Sequence, residues 1–197
     1  TQTQIFIGTV GVKAKDPEVY PLLVANTAFG GTFTARLMNE IRSKRGWSYG
    51  AYSRIGQDRQ RDAWYMWTMP AAKDAIDCLR LELELLEGFV RDGVTAKELD
   101  FAKSYLVNSH CFEVDTAAKR LDARMECELL GLPEECWKEF VPKVRQVQRE
   151  DANAAVARRL SDRDLTIAIV ATADEVLDRL EELPGVGSIE VVPYDRD

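Results

Sequence analysis

The stretch Gly30-Gly-Thr-Phe-Thr-Ala-Arg-Leu-Met-Asn-Glu-Ile-Arg-Ser-Lys-Arg-Gly-Trp-Ser-Tyr-Gly-Ala-Tyr-Ser53 decides the reading of this chain. Its two leading glycines stop one helix and open another. The helix before them, residues 17–29, starts at Asp16-Pro17, an N-cap acid followed by proline at the first helical position. Val19, Leu22, Leu23, Asn26 and Phe29 run along one side of it. After the glycines, Thr32 stands where it can cap a helix over 33–44 with Leu37, Met38 and Ile41 on its apolar side. Gly46 ends that helix. Arg42, Lys44 and Arg45 crowd its last turn, where cations interact favourably with the helix dipole. A tight turn then delivers Tyr49 to the start of a strand, so Arg42 and Tyr49 can point into one space. A guanidinium fork and a phenol are both hydrogen-bond donors, suited to negative charge developing on a carbonyl oxygen. The competing assignment is a solvated arginine and a half-buried strand tyrosine.

Outward from this stretch, residues 4–12 read as a strand with β-branched residues and little charge. Residues 48–57 and 62–69 read as an antiparallel hairpin around the polar segment 56–61. A helix over 71–92 carries Ile76, Leu79, Leu83, Leu86 and Val90 as one stripe. Thr95 and Glu98 form a capping box for a helix over 96–112. Further helices are expected at 115–131, 134–141 and 150–160, then a strand at 165–171. Thr172 and Glu175 form a second capping box opening a helix at 173–182, and a last strand spans 188–192. Strands and helices mix without strict alternation, which predicts an α+β fold of two layers, a mostly antiparallel sheet with helices packed on one face. The order argues against a doubly wound sheet, which needs repeated βα units. No linker or repeat divides the chain, so residues 1–197 read as one domain. The apolar strand pattern begins almost at Thr1, which reads as a piece of a longer protein.

Composition narrows the chemistry. The 197 residues are 46% hydrophobic and 30% charged, with 26 Lys and Arg against 33 Asp and Glu, a net charge of −7. That balance argues against nucleic acid or an anionic membrane as the main partner, since both call for a basic footprint. No apolar run reaches the ~18 residues of a membrane-spanning helix. GxGxxG, GxxxxGK[ST] and GxSxG are all absent. The four cysteines, at 78, 111, 127 and 136, form no CxxC pair. They read as small hydrophobes of the core, with one disulfide left open. The single histidine, His110, precedes Glu113, but Val114 stands where an HxxEH motif needs its second ligand. A zinc site needs three protein ligands, so no metal site is expected here and His110 reads as structural.

The pattern Gly-Gly-x-Phe-x-x-Arg-Leu-x-x-x-Ile-Arg-x-Lys-x-Gly-x-x-Tyr resembles the non-catalytic, C-terminal half of M16 zinc metallopeptidases, the pitrilysin, insulin-degrading enzyme and mitochondrial processing peptidase relatives. The order of elements over the rest of the chain is similar too. Trp47 departs from the aliphatic residue usual there. The resemblance implies the fold shared by M16 and LuxS-like proteins, and a bacterial zinc protease built from two related halves. One half carries HxxEH and zinc; the other has the same fold without metal and faces it across a chamber. The family's Arg and Tyr, separated by six residues, match Arg42 and Tyr49, which are expected to bind the peptide backbone and stabilise the tetrahedral intermediate. Gly30 and Gly31 match a glycine-containing loop lining substrate access. The implied partners are a zinc-bearing M16 half, in the same polypeptide or another subunit, and peptide substrate, with homodimerisation open. No cofactor is expected in this domain, which would be inactive alone. A periplasmic or secreted location is one implication and a cytoplasmic one the alternative. A structural M16-like subunit without peptidase activity is the second reading.

Overall fold

The structure, a computed structural model, describes residues 2–194. Four strands form one sheet in the order β2-β3-β1-β4: β1 (Gln4–Val10), β2 (Ser48–Ile55), β3 (Ala63–Pro70) and β4 (Thr166–Val170). All three pairings are antiparallel, with Phe6 opposite both Trp67 and Ala168 and Tyr52 opposite Trp67. Alternate residues point to opposite faces. Ile5, Ile7, Ala51, Trp64 and Met66 are wholly buried on the helix-covered face. Phe6, Tyr52, Tyr65 and Trp67 lie half-exposed on the other. This is the α+β, two-layer arrangement that the element order predicts.

The helices are α1 (Val19–Phe29), α2 (Arg36–Met38), α3 (Ala75–Asp92), α4 (Ala96–Glu113), α5 (Ala117–Leu129), α6 (Cys136–Gln146), α7 (Arg149–Arg159) and α8 (Ala173–Glu181). In α3 the predicted stripe faces inward: Ile76, Leu79 and Leu86 are buried and Leu83 and Val90 half-buried. Phe29 of α1 stacks on Phe89 of α3 at 4.2 Å between centroids, and Trp64 lies 6.2 Å from Phe29. Asn26 makes the polar join inside this core. Its Oδ1 accepts from Trp64 Nε1 at 2.8 Å and Ser53 Oγ at 2.7 Å, and its Nδ2 donates to the Ser53 carbonyl at 3.1 Å. A buried side chain so fully satisfied fixes the end of α1 against β2.

Several expectations need correction. The second helix does not begin at residue 33. Thr32 is buried and its hydroxyl caps nothing; its carbonyl accepts from Ala35 N–H, and the helix starts at Arg36. The long helix is preceded by a 3₁₀ turn, Ala72–Asp74, and its α-helical part starts at Ala75. The Thr95–Glu98 capping box is present, whereas Thr172 sits at an N-cap without a side-chain bond. No strand forms at 188–192 among the described residues: a β-branched run without a ladder partner stays irregular. Cys127 and Cys136 are joined in a disulfide across the α5–α6 turn, so only Cys78 and Cys111 remain free thiols.

Candidate functional site

The end of α1 is locked to β2 by close backbone approach. Ser53 N–H donates to the Gly30 carbonyl at 3.0 Å, and both Gly30 and Gly31 N–H donate to the Asn26 carbonyl. A Cβ at Gly30 would meet Ser53 Oγ at 2.4 Å, and one at Gly31 would meet Thr27 Cα at 2.7 Å. Glycine is required here for contact rather than for a left-handed backbone. The loop that follows carries Phe33 outward and leads into α2.

From α2 the chain widens into a π-helical turn, Asn39–Ser43, with Lys44 N–H donating to the Asn39 carbonyl at 3.0 Å. Gly46, at φ +66°, reverses the chain, and Trp47 N–H reaches back to the Ile41 carbonyl at 3.2 Å. Single π turns recur at functional positions. A β-bulge follows: Ser48 pairs with Pro70 and Ala51 with Thr68, so β2 holds an extra residue between them. Ser48 Oγ bridges the defect, donating to the Gly50 carbonyl at 2.6 Å and accepting from Met69 N–H at 2.9 Å. Bulges re-aim side chains, and Tyr49 here points outward, 73% exposed.

The two predicted residues are brought together. Arg42 Cζ lies 4.4 Å above the centroid of the Tyr49 ring. It lies equally 4.4 Å from the Phe33 ring, a residue that sequence reasoning missed. The only signal for Phe33 was its place in the Gly-Gly-x-Phe pattern, where it reads as the first residue of a helix.

Charge makes Arg42 unusual. Around it, Arg36 pairs with Glu98 at 3.0 Å, Lys44 with Glu40 at 2.5 Å and Arg45 with Glu40 at 2.9 Å. Lys44, then Arg45, hold the Glu40 carboxyl below its usual range. Burial pushes the Glu98 carboxyl up, but the Arg36 fork and the Thr95 backbone N–H outweigh it and bring it below the usual range. Arg42 has no carboxylate partner among the described residues, and its Nη1 is out of solvent without any hydrogen bond. A buried donor left unpaired is costly; Nη1 is enclosed, whereas the other guanidinium N–H groups are not enclosed and make no hydrogen bond among the described residues, so they are the ones open to an acceptor.

No group of three or more His, Cys, Asp or Glu able to hold a metal occurs among the described residues. His110 Nε2 lies 3.2 Å from the Trp137 carbonyl, Nδ1 lies 3.3 Å from Glu113, and the ring stacks on Phe140 at 4.5 Å, a structural role. A cleft of about 740 Å³ between the start of α1 and the α5–α6 turn contains neither Arg42 nor Tyr49. No described helix is long and apolar enough to cross a membrane.

A two-layer α+β domain, one antiparallel sheet with helices on one face, is the class that the fold defines. Residues 1–106 match the family described as the peptidase M16 inactive domain, and the chain belongs to that family. The uncharacterised zinc protease YmxG of Bacillus subtilis is 24% identical over 170 residues, which are 86% of this chain and 41% of that protein. The non-peptidase homolog YmxG of Helicobacter pylori is 26% identical over 142 residues, 72% of this chain and 33% of that one. The crystal structure of a peptidase M16 inactive domain from Pseudomonas fluorescens superposes with a TM-score of 0.78 at 25% identity, over 85% of this chain and 40% of that one. The chain thus spans about two fifths or less of the length of these three proteins.

Proposed function

We propose that this chain is the metal-free half of an M16 zinc peptidase, with residues 1–197 forming one domain of a longer working unit. It faces a zinc-bearing half, in the same polypeptide or a partner subunit, across a chamber that admits peptide. The zinc belongs to that other half. Arg42 and Tyr49 bind the peptide backbone beside the scissile bond, and Gly30 and Gly31 set the loop that lines access.

The observation that carries this reading is the unneutralised Arg42 beside the outward-turned Tyr49. With rings against the guanidinium and Nη1 enclosed, the remaining unpaired N–H groups are left for a carbonyl oxygen. The Tyr49 hydroxyl offers a second donor. Neither donor is neutralised by a carboxylate, so both can strengthen their bonds as charge builds on that oxygen. Interactions that grow toward the transition state raise kcat.

The test pairs this chain with its zinc-bearing half and follows cleavage of an unstructured peptide. Arg42→Ala is expected to lower kcat by about 10²–10³, the usual loss of one such donor. Unchanged turnover in a pair proven active removes the role assigned to Arg42.

One observation favours a second reading, an M16-like subunit with a structural role: one relative is named a non-peptidase homolog. An HxxEH motif in the half that pairs with this chain supports the peptidase reading, and its absence supports the structural one.

A further inference from the structure

Phe33 is a large apolar residue left 59% exposed, yet the backbone around it is buried and hydrogen-bonded. The glycines before it are tied to Asn26, Thr32 is 5% exposed, Ala35 is 2% exposed, and Ala35 N–H closes a turn on the Thr32 carbonyl. A side chain so firmly anchored and so little buried contributes little to the core. Its ring instead meets Arg42 at 4.4 Å, and Tyr49 does the same, so two rings flank one guanidinium.

We infer that Phe33 is a positioning residue for Arg42: its ring holds the guanidinium plane so that the unpaired N–H groups other than the enclosed Nη1 face the peptide carbonyl. The inference rests on the substrate-binding role proposed for Arg42. An arginine has many rotamers, and freezing them on binding weakens recognition. The neighbouring cations are held by carboxylates, which would satisfy the very donors Arg42 must keep free. An aromatic face attracts a cation through its ring quadrupole without occupying any N–H. Phe33 therefore orders Arg42 and leaves its donor edge open.

The experiment uses the assembled two-half protein. Phe33→Ala is expected to lower kcat about tenfold, within the range of a cation–π contact, with less effect on KM. Phe33→Tyr and Phe33→Trp, which keep a ring face, are expected to restore activity to within about twofold, whereas Phe33→Leu is not. Because Phe33 acts through Arg42, the double variant Phe33→Ala/Arg42→Ala is expected to be no slower than Arg42→Ala alone. Full activity in Phe33→Leu, or losses that multiply in the double variant, would overturn the inference while leaving the role of Arg42 standing. If Arg42→Ala itself changes nothing, the substrate-binding role fails. A second readout then decides the positioning: with ¹⁵N-arginine in this chain alone among the assembled parts, the Arg42 Nε–H proton is expected upfield from ring currents and to shift back in Phe33→Ala. An unmoved resonance rejects the contact. Thermal melting of each variant checks that the fold is kept.

Discussion

Arg42 and Tyr49 stand seven positions apart in sequence and 4.4 Å apart in space, guanidinium carbon to ring centroid. Two departures from regular structure bring them together. The π turn at Asn39–Ser43 shifts Arg42 around its helix, and the bulge between Ser48 and Ala51 turns Tyr49 out of the buried face. In a straight α-helix followed by a regular strand, these side chains would take other directions. The site therefore depends on irregular backbone held by bonds such as those of Ser48 and Gly46.

Tyr49 has two separable parts, a ring over Arg42 and a hydroxyl. Tyr49→Phe keeps the ring and removes the donor, so in the assembled peptidase kcat is expected to fall about 10–100-fold. Tyr49→Ala removes both and is expected to fall further. Steady-state cleavage of an unstructured peptide by each variant measures the difference, and equal activity of wild type and Tyr49→Phe dismisses the hydroxyl.

Gly30 holds the loop that carries Phe33. With Ser53 Oγ and Ser53 N within 2.5 Å of an added Cβ, and Leu37 Cδ1 at 2.7 Å, Gly30→Ala forces backbone apart from backbone. Overpacking of this kind costs about 1–3 kcal/mol. Gly46→Ala meets no atom within 4 Å, but φ +66° makes it strained as well, by about 1 kcal/mol. Thermal melting is expected to rank Gly30→Ala below Gly46→Ala, and both below wild type.

Local patterns made much of the fold legible. The β2–β3 hairpin, the α3 stripe and the Thr95–Glu98 box are each written within about twenty residues or fewer, where periodicity and capping chemistry act directly. What depends on distant partners was not legible. The run 188–192 has strand-like residues but no ladder in the described structure. Phe33 looks like a helix residue until the buried Thr32 delays the helix to Arg36. Arg42 and Tyr49 were found by resemblance, because neither a π turn nor a bulge has a strong local signature. The Cys127–Cys136 bond was open in sequence, since spacing alone does not pair cysteines.

That disulfide closes the turn between α5 and α6, with nine positions separating its cysteines. Tying a loop of this length removes unfolded-state freedom worth about 2–3 kcal/mol. Reduction, or Cys127→Ser, is expected to lower the melting temperature by several degrees, ~2–4 °C for each kcal/mol in a domain of this size. The Arg42 site lies on other elements, so peptide cleavage by the assembled protein at low temperature is expected to survive reduction. Calorimetry with and without reductant, alongside the cleavage assay, checks both halves of the expectation.

Glu82 on α3 is wholly buried with no cation beside it. Thr68 Oγ1 donates to its Oε2 at 3.1 Å, Oε1 has no partner, and the Cys78 thiol lies 3.9 Å away. Burial pushes the carboxyl up to about 8, with only the Thr68 bond opposing it, and burial also pushes the Cys78 thiol up, out of this range. The folded chain thus keeps a proton that the unfolded chain releases near the ordinary carboxyl value of 4.5. Below that value both states are protonated and Glu82 imposes no ionisation penalty. As pH rises from about 4.5 to about 8 the unfolded state binds fewer protons, so stability falls, and above about 8 the loss levels off. Glu82→Gln keeps the shape and the Thr68 contact but does not titrate. Melting temperatures of wild type and Glu82→Gln are therefore expected to diverge between about pH 5 and about pH 8, with the glutamine variant losing less. Parallel curves across that interval would mean that Glu82 is already ionised in the fold.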